Sequence, residues 1–160
     1  MDAGFNPRWT RYSEIVAPRL AEDEQVRAVL SKSGHPRLLI DILASIVNLD
    51  LVADHLATHR AIVVTDRQVF VIRMPFLRSW SVEHVSALNA VSVIAFAPGS
   101  LPAGGLLFTP GNLRLHFSGS GYKDFWFGVD GSELPMLRGE AEAVVKALPA
   151  SAISRDAPAR

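Results

Sequence analysis

His59-Arg60-Ala61-Ile62-Val63-Val64-Thr65-Asp66-Arg67-Gln68-Val69-Phe70-Val71-Ile72-Arg73 is the stretch that decides the fold. Two apolar runs rich in Val and Ile flank a short polar break, Thr65 to Gln68. β-Branched and aromatic side chains suit a pleated, packed surface. A break this short between two such runs predicts a hairpin. Asp66 is expected to turn its carboxylate back onto a backbone N–H near Gln68 and so hold the turn.

Downstream of the hairpin the pattern stays β. Leu77 to Val85 alternates, with Arg78, Trp80 and Val82 against Ser79, Ser81 and Glu83. Val91 to Ala97 is a further run, closed by Ala97-Pro98-Gly99-Ser100, and Leu106 to Thr109 is a short one. Asn112 to Ser118 alternates strictly, which sends Leu113, Leu115 and Phe117 inward and Arg114, His116 and Ser118 outward. Ser118-Gly119-Ser120-Gly121 reads as a turn, and Asp124 to Val129 as an aromatic strand in which Trp126 faces away from Phe125 and Phe127. Trp9 and Tyr12 of an N-terminal helix are one candidate cover for Trp126. The closing element is a helix opened by Gly131-Ser132-Glu133, with Leu134, Leu137, Ala141, Val144, Val145 and Leu148 on one face, Glu140 and Glu142 elsewhere, and Pro149 as its stop.

Upstream, Asn6-Pro7 predicts a helix start, followed by Trp9, Tyr12, Ile15 and Val16 at helical spacing and ended by Pro18. Val26 to Ser31 reads as a first strand. Arg37 to Ala57 predicts an amphipathic helical insert. Helix, strand, helix, about six strands and a helix imply a mainly β (α+β) fold, an antiparallel sandwich or partly open barrel of about seven strands capped by a C-terminal helix. Residues 1–23 form a helical extension, 24–148 the domain and 149–160 a disordered tail.

The chain has 160 residues, enough for one domain with a real core, and its 49% apolar and 20% charged content is that of an ordinary globular protein. Sixteen basic residues balance sixteen acidic ones, and no basic stripe of the kind that displaces counterions from nucleic acid appears. No cysteine is present, so disulfides and thiolate metal sites are excluded. The N-terminus lacks a signal-peptide pattern, and the most apolar stretch, Leu38 to Val52, carries Asp41 and Asp50 and is too short to span a membrane. These features lead us to expect a cytoplasmic setting.

This order of elements, with Ile62-Val63-Val64-Thr65-Asp66-Arg67-Gln68-Val69-Phe70-Val71 at the hairpin, resembles the bacterial pleckstrin-homology-like (PH-like) domains. There a Thr-Asp-Arg turn joins two apolar strands and a C-terminal helix closes the barrel. Trp80-Ser81-Val82-Glu83-His84-Val85 is similar to the strand that follows that hairpin. The likeness covers about Glu24 to Leu148. It departs at Gln68, where a second Arg is common, and in the apolar insert at 37–57. The resemblance implies a non-enzymatic binding or scaffolding role.

Several residue groups carry candidate chemistry. His55 and His59 share a helical face if the helix continues, and could bind one metal ion beside Asp54. The His-Glu-x-x-His pattern is missing and no third ligand is evident, so no metal and no cofactor is expected. The Gly-rich stretches 99–105 and 118–123 precede strands, not helices, and so lack the geometry of a phosphate cradle. Ser120 lacks the glycine that a serine-hydrolase elbow requires two residues earlier. Lys32, Arg37, Arg73 and Arg78 lie near loop ends and are the candidates for a lipid headgroup. Leu38, Leu39, Ile42, Leu43 and Val47, with Ile46, form an apolar stripe on a segment with no Lys or Arg between Leu38 and Leu56, which favours a protein partner or a second copy over an anionic membrane. The expected function is thus a cytosolic binding module. A peripheral membrane adaptor is the first alternative, and a small metal-dependent enzyme using His55 and His59 the second.

Overall fold

The structure, a computed structural model, describes residues 9–34, 58–75, 78–100, 109–128 and 133–149. The expected cap at Asn6-Pro7, the insert at 37–57, the run at 106–108, the helix opening at Gly131-Ser132 and the tail beyond Pro149 lie outside the described residues.

Helix α1 (Thr10–Val16) continues into a 3₁₀ turn at Ala17–Arg19. Seven strands follow: β1 (Val26–Ser33), β2 (Thr58–Thr65), β3 (Gln68–Pro75), β4 (Ser81–Ala87), β5 (Val91–Ala97), β6 (Gly111–Phe117) and β7 (Gly121–Phe127). Helix α2 (Leu134–Ala147) closes the described chain. The strands form two antiparallel sheets, β1-β2-β3-β4 and β5-β6-β7. The architecture is therefore mainly β, as expected, and compatible with a sandwich. A single bridge, Gly34 to Trp126, links the two sheets among the described residues, so no closed barrel forms there.

The hairpin stretch explains itself through the packing. A strand exposed on one face alternates apolar and polar residues, whereas one covered on both faces is apolar throughout. Ala61 to Val64 and Val69 to Ile72 are all fully buried. Ile62, Val64, Val69 and Val71 face inward, joining Leu113, Leu115, Phe117, Phe125 and Phe127 of the second sheet and Leu134, Leu137, Ala141 and Val144 of α2. Ala61, Val63, Phe70 and Ile72 face outward into a second core, closed by Tyr12 and Val16 of α1 with Trp9, Ile15, Leu20 and Trp80 around them. Strands β2 and β3 thus sit between two apolar layers.

The expected turn is present, but a different residue holds it. Thr65 Oγ1 accepts from the backbone N–H of Gln68 at 2.8 Å and of Arg67 at 3.2 Å. It donates in turn to the buried carboxylate of Glu24, which also takes the Gln68 amide and the N–H of Ala21. Asp66 accepts instead from the N–H of Gln25, 41 positions away in sequence, which staples the tip of the hairpin to the start of β1.

Other boundaries moved for visible reasons. Strand β4 begins at Ser81, because Trp80 turns away to stack near Tyr12, with ring centroids 5.4 Å apart, under the Arg11 guanidinium. Strand β7 begins three residues early, at Gly121, directly after the tight turn whose Gly119 has φ +83°. Helix α1 covers the outer face of the first sheet and not Trp126. Glu140 does not point away from the fold. Its carboxylate accepts both the N–H and the hydroxyl of Ser31 on β1, at 2.7 and 2.6 Å.

Candidate functional site

Period-two parity places the charged ends of the central strands. Ile62 and Val64 face inward, so Arg60 at the start of β2 shares their side; Val69 and Val71 face inward, so Arg73 near the end of β3 shares theirs. The register pairs Arg60 directly with Arg73. Two like charges opposite each other repel, and a carboxylate resolves this. Glu83 sits on β4 where the β3–β4 register slips, between the pairs Ile72–Val82 and Val71–His84. It receives Arg60 in a two-pronged contact, Nε at 2.7 Å and Nη2 at 3.1 Å. Such fork geometry combines charge with fixed direction.

Strand β7 brings a further cation. It runs across this end of the first sheet: Trp126 pairs with Gly34 just beyond β1, while Lys123 lies close enough to β4 for its charge to act on Glu83 and His84. The Lys123 ammonium also stands 5.8 Å above the Phe117 ring, against which His84 packs edge-on with centroids 4.9 Å apart. The hydrogen bonds from Arg60 hold the Glu83 carboxyl below its ordinary pKa, helped by the charges of Arg60, Lys123 and Arg73. Burial pushes the His84 imidazole below its usual value, and Lys123 adds to this. His84 Nε2 and Ser86 Oγ are 2.8 Å apart on the same face.

The sequence-derived candidates are distributed unevenly. Arg73 joins this cluster. Lys32 lies beside it on β1, with its ammonium 2.9 Å from Glu133 at the start of α2. Arg78 is exposed in the link between β3 and β4, at the same end of the sheet. Arg37, the stripe Leu38, Leu39, Ile42, Leu43 and Val47, and His55 fall outside the described residues. His59 lies on β2 opposite Met74 and against Gly34. Among the described residues no three His, Asp or Glu side chains converge as metal ligands, and no helix is long and apolar enough to cross a membrane.

Arg60, Glu83 and Lys123 were missed in the sequence. The parity of Arg60 with Ile62 was legible there, and so was that of Arg73 with Val71. The arrival of Lys123 from β7 was not, because it depends on how the second sheet crosses the first. Comparison with family models, curated proteins and solved structures finds no match to this chain.

Proposed function

We propose that this chain is a non-enzymatic, cytosolic binding module of PH-like type, and that its basic strand end engages anionic groups at a membrane surface. Four plus three antiparallel strands followed by a C-terminal helix agree with the architecture which that resemblance implies. The observation that carries the ligand class is the meeting of Arg60, Arg73 and Lys123, from three different strands, around one carboxylate. Arg73, Arg78 and Lys123 form no ion pair with a described carboxylate, so their charge is available to an incoming anion. Gly34 and Thr58, the described residues on either side of the apolar sequence Leu38 to Val47, stand at this same end of the first sheet. Apolar side chains next to Lys and Arg suit the boundary between headgroups and acyl chains.

A protein partner or second copy held by Leu38, Leu39, Ile42, Leu43 and Val47 is the second reading. It is favoured by the lack of Lys and Arg between Leu38 and Leu56. Co-sedimentation with phosphatidylcholine vesicles, with and without phosphatidylserine, separates the two. The membrane reading expects sedimentation only with the anionic vesicles, release by added salt, and weaker binding in Arg73→Gln and Lys123→Gln. A protein that stays in the supernatant with both vesicles while forming a dimer lost in Ile42→Asp would favour the second reading.

A further inference from the structure

We propose that Glu83 is a built-in competitor for the basic strand end, a resident carboxylate that holds Arg60 in the pose an external anion would take and so keeps the site's affinity low until it is displaced. This rests on the anion-binding reading above and concerns how that site is regulated.

Four observations support it. The Arg60–Glu83 contact spans two strands, from β2 to β4 across β3, and is two-pronged. A planar guanidinium presents the same fork to a phosphate as to a carboxylate. Both side chains are only partly exposed, at 33% for Arg60 and 27% for Glu83, so the contact is less screened than a pair on open surface. Arg73, opposite Arg60 in the register, and Lys123 from the crossing strand β7 add further positive charge at the Glu83 carboxylate. Finally, β4 is an edge strand among the described residues and Glu83 lies at its irregularity, the kind of place where a strand re-aims a side chain. Glu133 makes a useful contrast. It also meets a cation at this end, the Lys32 ammonium, at 2.9 Å.

The test uses the full chain, with inorganic pyrophosphate and phosphatidylserine vesicles as probes, in wild type, Glu83→Gln, Glu83→Asp, Glu133→Gln and Arg73→Gln. Glu83→Gln is expected to tighten binding of both probes on the order of tenfold. Glu83→Asp keeps the charge but shortens the reach to Arg60, and is expected to recover part of that gain. Glu133→Gln removes the same charge elsewhere, and its gain is expected to be severalfold smaller. Equal gains in Glu83→Gln and Glu133→Gln, or no gain in Glu83→Asp, would reduce the effect to net charge and overturn the inference. Binding that Arg73→Gln weakens but Glu83→Gln leaves unchanged would overturn it while leaving the anion-binding reading intact. No binding of either probe by any of the five proteins would remove both. Tightening of pyrophosphate alone would keep the competitor role and point to a free phosphate compound rather than a headgroup.

Discussion

Thr65 and Asp66 are neighbours in one turn, yet their hydrogen bonds predict unequal effects. Thr65 Oγ1 satisfies two backbone N–H groups and supplies a donor to Glu24, a residue only 7% exposed. Thr65→Val keeps the shape and removes all three contacts, leaving buried polar groups unpaired, and should cost about 2 kcal/mol. Asp66 makes one exposed contact, to the Gln25 N–H, and Asp66→Ala should cost only about 0.5 kcal/mol. Urea denaturation of both variants checks the order; a larger loss in Asp66→Ala would reverse the assignment. The sequence located this turn but pointed to the wrong side chain. Asp in a turn is a common device, whereas the contribution of Thr65 depends on Glu24, 41 positions away, which local reading cannot supply.

At the scale of elements, α1 is a cover more than an independent helix. Seven residues are too few for a helix to persist alone. Its role is to seal the outer face of the first sheet, where Val29, Ala61, Val63, Phe70 and Ile72 are fully buried. Tyr12 anchors it twice, packing beside Trp80 and donating its hydroxyl to the Ser31 carbonyl at 2.7 Å. A chain lacking residues 1–19 should therefore expose a contiguous apolar sheet face, bind a hydrophobic dye and elute as soluble aggregates on size exclusion. A monomer with the full chain's melting temperature would show that α1 covers nothing of consequence. The existence of α1 was legible from the spacing of Trp9, Tyr12, Ile15 and Val16. Its destination was not stated by that spacing, although a clue stood in the hairpin itself: strands apolar at every position need two covers. The second was found on α1, and Trp126 lies on the other sheet.

For the whole molecule, net charge of zero hid a local imbalance. Arg60 and Arg73 meet through the register of β2 with β3, and Lys123 joins them only because β7 crosses the end of the first sheet, so composition could not reveal the cluster. The same packing sets the response to pH. His84 is held below its ordinary pKa of 6.5 by burial and by Lys123, so the unfolded chain takes up protons before the fold does, and stability falls as pH drops below about 6.5. Glu83 is held below its ordinary 4.5, chiefly by the Arg60 hydrogen bonds; the stability it contributes is complete above that pH and is lost as pH falls through its lower folded value. Burial first, and Glu140 second, push the Tyr12 hydroxyl from 10.0 up to about 12, so the fold favours the neutral phenol and loses stability as pH climbs from 10 towards 12. Melting temperature against pH should then show a plateau between about 6.5 and 10, with a fall on each side. Each limb has its own control. His84→Gln should flatten the decline just below pH 6.5 and leave the deeper acid limb, which Glu83→Gln should reduce. Tyr12→Phe should remove its part of the alkaline limb, at a neutral-pH cost of about 1 kcal/mol for the lost bond to Ser31. An alkaline limb unchanged in Tyr12→Phe would mean that this phenol does not ionise within the fold's own transition, and that the contact between α1 and β1 is looser than its 2.7 Å hydrogen bond describes.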